Sequence, residues 1–192
     1  MHYCILVLTK EFPADDVLES ALKPFYEDDY YKKQEEDPNT PRPVFKWDFW
    51  KLGGRYCAKL KIDVSGDNFE KYELKFYVKE KRSKRLFRAV LLEKVNLDAD
   101  VAALFTPRDY SEVDALCYMG LRDNVIYADS ARIEDCVSIP DGYGIVLPTG
   151  EAYARATWDG ESWNKNTCFD EQREKAISEN KDCWISVVDI HD

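Results

Sequence analysis

The sequence predicts an α+β fold, a mostly antiparallel central sheet with a few flanking helices. Three observations carry that reading. The chain opens and closes on strongly apolar, β-branched runs, H-Y-C-I-L-V-L-T (2 to 9) and C-W-I-S-V-V-D-I-H-D (183 to 192). Such short continuous runs suit strands buried on both faces. Between them lie period-2 alternations broken by glycine turns, and two segments with helical spacing and helix-start signals.

In chain order, Pro13 and Asp15/Asp16 offer a helix start after the first strand, and Val17, Leu18, Ala21 and Leu22 form one apolar helical face that Pro24 should end. Residues 25 to 43, F-Y-E-D-D-Y-Y-K-K-Q-E-E-D-P-N-T-P-R-P, are rich in charge, tyrosine and proline without sustained periodicity, which predicts a surface loop. From Phe45 to Asp63 two strands are expected, joined at Gly53-Gly54, with Tyr56, Ala58, Leu60 and Ile62 alternating against Arg55, Cys57, Lys59 and Lys61. Paired glycines permit positive φ at both positions, as a tight hairpin turn requires. Tyr72, Leu74, Phe76 and Val78 alternate up to the basic run K-E-K-R-S-K-R-L-F-R (79 to 88), suggesting a second hairpin, although 85 to 95 also fits a helix. Residues 98 to 118 read as partly helical, with S-E-V-D (111 to 114) resembling a capping box. A hairpin is expected about P-T-G (148 to 150). A helix capped by Thr167 should then run to Asn180, its acidic first turn matching the positive end of the helix dipole. The first and last strands are expected side by side in the sheet.

At 192 residues the chain is near the size of one domain and is long enough to fold on an apolar core. Hydrophobic residues are 45% and charged residues 33%, which excludes a wholly disordered chain. No apolar run reaches the ~20 residues that span a bilayer, and the N-terminus lacks the basic start and cleavage site of a secretory signal, so a cytosolic protein is expected. Six scattered cysteines form no C-x-x-C pair and read as buried thiols. The net charge of −10 disfavours direct nucleic-acid binding, which needs a cationic surface. No phosphate-loop, dinucleotide or nucleophile-elbow motif is present, and no cofactor is implied.

Two constellations could carry chemistry. The first is K-W-D-F-W-K-L-G-G-R-Y (46 to 56). On a strand, Trp47 and Phe49 would share one face and Asp48 and Trp50 the other, with Arg55 returning across the turn. Either the rings of Trp47, Trp50 and Tyr56 stack on a flat ligand while Arg55 binds a phosphate and Asp48 accepts from amino groups, or Asp48 and Arg55 merely pin a packed hairpin. The second is the terminal D-I-H-D, where Asp189 and His191 share a strand face and His191 would lie near His2 if the end strands pair antiparallel. A His–Asp pair is the minimum for general-base catalysis or half a metal site, and equally a common strand-end hydrogen bond. With two histidines in the chain and no H-E-x-x-H spacing, no metal site is assigned.

These stretches resemble a family of uncharacterised tailed-phage and bacterial proteins. Its members show, in order, H-Y-T-V-L-V-I-G, L-A-P-Y-x-E, N-P-N-A-K-W-D-W-Y-x-I-G-G-R-W, M-G-W-W-G and T-V-V-D-C-H-I. The counterparts here are M-H-Y-C-I-L-V-L, L-K-P-F-Y-E, D-P-N followed by K-W-D-F-W-K-L-G-G-R-Y, A-T-W-D-G and S-V-V-D-I-H. Tyr56 stands where the family has Trp, Trp158 stands alone where it has two, and residues 64 to 135 match nothing in it. The resemblance implies a phage accessory protein but no activity.

The functional expectation is binding rather than catalysis: inhibition of a host protein, plausibly a defence factor, in the host cytosol, through Tyr26, Tyr30 and Tyr31 and the aromatic hairpin. The alternative is a nucleotide-type small-ligand protein, sequestering or modifying its ligand. It would hold the ligand with Trp47, Trp50, Gly53, Gly54, Arg55, Tyr56 and Trp158, with Asp48, Asp189 or His191 as acid or base. A virion component is the third reading.

Overall fold

The computed structural model describes residues 1–56, 59–63, 75–80, 86–90, 113–115 and 125–192. Its strands and α-helices are β1 (His2–Thr9), α1 (Asp15–Leu22), α2 (Glu27–Glu36), β2 (Phe49–Leu52), β3 (Leu60–Asp63), β4 (Lys75–Glu80), β5 (Leu86–Val90), β6 (Val113–Ala115), β7 (Val125–Ala128), β8 (Ser130–Arg132), β9 (Cys136–Ser138), β10 (Gly144–Val146), β11 (Ala152–Ala154), β12 (Ala156–Trp158), β13 (Trp163–Lys165), α3 (Phe169–Glu179) and β14 (Trp184–His191). Two compact units arise: Met1–Tyr56 with Arg132–Glu134 and Pro140–Asp192, and Cys57–Ala131 with Asp135–Ile139. The fold is α+β. Among the described residues no helix is long and apolar enough to cross a membrane.

In the first unit the strand order is β11-β10-β1-β14-β2. The first and last strands of the chain pair antiparallel along their whole length, from His2 opposite His191 to Thr9 opposite Trp184. They are the two most apolar strands because both lie inside the sheet, and Ile5, Leu6, Val7, Ile185, Val187, Val188 and Ile190 are fully buried. β1 and β10 run parallel, while β1–β14, β10–β11 and β14–β2 are antiparallel. Leu18 and Leu22 of α1 pack with Ile5, Val7, Val188 and Ile190 in one core cluster, which also takes in Phe25, Phe45 and Trp47. Pro24 ends α1 as expected, in a short 3-10 turn, Lys23–Phe25. The hairpin about Pro148-Thr149-Gly150 joins β10 to β11, with Gly150 at φ +85°.

The second unit holds two small sheets, β7-β3-β9 and β5-β4-β6. The β4–β5 pair is the expected hairpin around the basic run, and it settles residues 86–90 as strand.

Several expectations are corrected. Residues 27–36, read as loop, form α2, whose Glu27, Asp28 and Asp29 complement the dipole at its start and whose Tyr30 is buried beneath it. A single buried residue leaves no apolar period to read. The strand leaving Gly53-Gly54 does not fold back on β2. β2 pairs instead with β14, the chain turns through a 3-10 segment at Gly54–Tyr56, and β3 pairs with β7 and β9. The positive φ at Gly53 (68°) and Gly54 (51°) was legible, but the partner of the strand was not. Val113–Ala115, placed in a helix with its capping box, is a strand whose Asp114 lies opposite Lys79. The rest of that proposed helix lies outside the described residues, as do Tyr72, Leu74 and the Cys57 and Ala58 positions of the expected second strand. The last helix is capped at Cys168 rather than Thr167, because the Asn166 side chain accepts the Cys168 N–H at 3.1 Å. Its other end falls at Asn180 as expected, whose amide donates to the Ala176 carbonyl.

Candidate functional site

Pairing register decides which side chains meet. Residues directly opposite on antiparallel strands share a face. His2 therefore stands with His191, and Cys4 with Asp189, on the sheet face opposite the α1 core. On the other side of β14, Trp50 lies opposite Ile190 and Leu52 opposite Val188, so both turn toward that core, while Phe49 and Lys51 join the face of His191 and Asp189.

This corrects the expected arrangement around Asp48. Trp47 precedes the strand and is buried, its indole N–H donating to the Leu22 carbonyl at 2.8 Å and its ring packed on Tyr26 at 4.7 Å. Phe49 is exposed, so Trp47 and Phe49 do not share an environment. Trp50 is half-buried against the core. Neither tryptophan is an open stacking platform.

Asp48 is drawn elsewhere. Its N–H donates to the His191 carbonyl at 3.0 Å, which carries its carboxylate to His191 Nδ1 at 2.8 Å. That hydrogen bond holds the Asp48 carboxyl below its ordinary range. The Asp48–Arg55 pair, one of the two alternatives for this stretch, does not form. Arg55 is exposed, and its backbone N–H, not its guanidinium, meets a carboxylate: it donates to Asp189 Oδ2 at 2.9 Å.

Asp189 is the buried hub, 5% exposed. Its other oxygen lies 2.9 Å from His2 Nδ1. The Gly-Gly turn exists to admit it. A Cβ on Gly54 would come within 2.4 Å of Asp189 Cβ and 2.5 Å of its Oδ2, at a φ that side chains rarely adopt. Gly53 anchors the same turn by donating its N–H to the Val187 carbonyl at 2.8 Å. Tyr56 closes the group, its hydroxyl donating to the His2 carbonyl at 3.0 Å, and burial followed by the nearby Asp189 raises its pKa.

Two His–Asp pairs thus stand side by side, with ring centroids 5.0 Å apart and planes at 63°. A carboxylate only accepts, so each imidazole bonded to one donates from Nδ1 and, when neutral, presents Nε2 as an acceptor. The arrangement sets two imidazole rings side by side, each held at Nδ1 by its own carboxylate. Among the described residues no three His, Cys, Asp or Glu side chains converge as metal ligands.

The remaining predicted site residues lie elsewhere. Tyr30 is 5% exposed and is no surface anchor; Tyr31 is exposed, its hydroxyl bonded by Lys46 Nζ at 2.9 Å; Tyr26 covers Trp47 and donates to Asp28. Trp158 pairs across a hairpin with Trp163 and lines, with Tyr30, a separate hollow. Arg42, Tyr143 and Trp163, which also line it, were not singled out by sequence. The only signal for them was the W-D-G-E-S-W turn, whose two indoles face each other across the strands. A wider depression of about 590 Å³ between α1 and the Leu147–Gly150 turn carries none of the candidate site residues. No protein-family model matches this chain, and neither a curated protein nor a solved structure does.

Proposed function

We propose that the protein acts on a small phosphate-bearing ligand, with the His2–Asp189 and His191–Asp48 pairs as its acid–base groups and Arg55 as the anchor for the phosphate. One observation carries this reading: two imidazoles, each held at Nδ1 by its own carboxylate, sit with rings 5.0 Å apart at one sheet end. Imidazole is the side chain whose ordinary titration lies nearest neutral pH, and a neighbouring pair can supply base and acid in one step. Arg55 leaves the turn that clasps Asp189, and among the described residues its guanidinium forms no ion pair. In phosphodiester cleavage, one Nε2 takes the proton of an attacking hydroxyl or water as the new P–O bond forms. The other imidazolium then gives its proton to the departing oxygen as the old P–O bond breaks. The motif resemblance supports an origin among phage proteins and work inside an infected cell.

The test is turnover of an activated phosphodiester and of cyclic and linear dinucleotides by the full chain. Activity with a bell-shaped pH profile should fall about 100-fold or more in His2→Ala and in His191→Ala. Activity that survives both substitutions, or none on any of these substrates, removes the acid–base role. Binding to a host protein is a second reading, favoured by exposed apolar anchors, Phe12, Phe49 and Trp163, rather than by Tyr30. Recovery of one stoichiometric host partner that is lost on Trp163→Ala would support it; the same recovery from the variant would refute it.

A further inference from the structure

We propose that the hollow beneath the β12–β13 hairpin binds the ring of a nucleoside monophosphate, with Tyr30 reading the buried edge of the base and Arg42 holding the phosphate. This goes beyond the acid–base reading, since the hollow would recognise its ligand even if the histidines were inert. It encloses about 40 Å³, more than one water needs, and opens to solvent, so the edge of a single ring enters while the rest stays outside.

Its lining is aromatic. Tyr3 and Tyr143 pack together at 4.5 Å, and Trp158 and Trp163 stand 5.7 Å apart at 56° on the hairpin. The indoles remain 40% and 55% exposed, which leaves ring surface for stacking on a base. Tyr143 and Tyr3 are already satisfied: the Tyr143 hydroxyl donates to the Ala156 carbonyl, and that of Tyr3 to Met1 Sδ.

Tyr30 is the exception. It is 5% exposed, it lines the hollow, and its hydroxyl has no hydrogen-bond partner. Buried hydroxyls are nearly always paired because an unpaired one has lost its water for nothing. A ligand that places an acceptor there, such as a ring carbonyl or ring nitrogen, restores the bond. A purely apolar ring would not. At the hollow's edge Arg42 is exposed, and among the described residues it forms no ion pair. Gly160, at φ +114°, leaves it room: a Cβ there would lie 3.3 Å from the Arg42 guanidinium. Lys46 and Asp192 also line the hollow but lie 4.0 Å apart as an ion pair, which leaves Arg42 as the cation for a phosphate; stacking faces, one buried donor and that cation are the complement of a base carrying a phosphate.

The experiment is titration of the full chain with uridine, cytidine, adenosine and guanosine 5′-monophosphates, uridine, and inorganic phosphate, read by tryptophan quenching and calorimetry. At least one monophosphate should bind with a Kd below about 1 mM. Its affinity should fall about 10-fold in Tyr30→Phe, the loss of one hydrogen bond, and by a similar factor in Arg42→Gln. Arg42→Gln should leave binding of the unphosphorylated nucleoside unchanged. Tyr30→Phe should melt no lower than the parent, because the hydroxyl it removes has no partner, so lost binding cannot be blamed on lost folding. Binding is read without turnover, which separates failure here from failure of the acid–base reading. No binding of any monophosphate, phosphate binding alone, or affinity indifferent to Tyr30→Phe overturns the proposal.

Discussion

Asp189 and Gly54 are packed so closely that no side chain fits at residue 54 unless Asp189 moves. A Cβ at residue 54 would fall 2.4 Å from Asp189 Cβ, well inside contact distance, and the backbone there has φ +51°. Asp189 in turn fixes two further elements, His2 through Nδ1 and Arg55 through its N–H. One buried carboxylate thereby joins β1, β14 and the turn after β2.

Gly54→Ala should destabilise the protein by more than the ~1 kcal/mol of an ordinary helical or strand glycine difference, since a strained φ and a steric clash add. Chemical denaturation measures it. Because the nearest atom is the Cβ of Asp189, Asp189→Ala, which keeps that atom, should give less relief in the double variant than Asp189→Gly, which removes it. Equal recovery by both would mean that the carboxylate, not the packing, sets the constraint.

Trp47 is a structural residue, and its substitutions should behave accordingly. Trp47→Phe leaves the Leu22 carbonyl without its indole donor and opens space in the core, a combined loss of about 2–4 kcal/mol. Trp50→Phe, at a half-buried position, should cost less. If equilibrium unfolding ranked the two the other way, the assignment of Trp47 to the core would fail.

The difference between these two tryptophans shows what the sequence could disclose. Apolar run and turn chemistry made the end strands, α1, the β10–β11 hairpin and the Gly-Gly turn legible, because each is specified by neighbouring residues. The meeting of His2 with His191 followed from pairing those end strands antiparallel, one long-range guess that register then fixed. What stayed hidden depends on partners far along the chain. The strand starting at Phe49 pairs with β14 rather than with its nearest neighbour, and that choice turns Trp50 to the core, Asp48 to His191 and Arg55 away from Asp48. Tyr30 illustrates the same limit at one residue: a tyrosine within a charged stretch gives no sign that it is the buried one.

The Asp48–His191 contact should be visible in acid. The bond to His191 holds the folded Asp48 carboxyl below its ordinary value near 3.8. A depressed carboxyl contributes stability that is present above its unfolded pKa and is lost as pH falls through the folded one. The stability gap between the parent and Asp48→Asn should therefore be present above the ordinary value near 3.8 and close as pH falls below it. Both groups are substantially exposed, so the gap is small. A gap that stays open well below pH 3.8 would show that the Asp48 carboxylate is not the acceptor in this pair.

The β12–β13 hairpin offers the sharpest local test, because one side chain holds its turn. Asp159 Oδ1 accepts the N–H groups of Glu161 and Ser162, each at 2.8 Å, while Oδ2 accepts from Asn164 at 2.7 Å and from the Ser162 hydroxyl at 3.2 Å. Those donors favour the ionised form and push the Asp159 carboxyl far below the usual carboxylate range, the two backbone N–H groups most. The turn should accordingly keep its clasp in acid that protonates ordinary carboxyls, and lose it only as pH drops through that depressed value. The Trp158–Trp163 pair reports on it, since indoles 5.7 Å apart at a fixed angle couple optically in circular dichroism. Asp159→Ala should abolish the coupled signal at neutral pH. Asp159→Asn, whose amide oxygen can still accept from the backbone, should retain part of it. In the parent the signal should persist to about pH 3, below the ordinary aspartate value. Its disappearance near pH 4 would mean that the backbone donors do not hold the carboxylate.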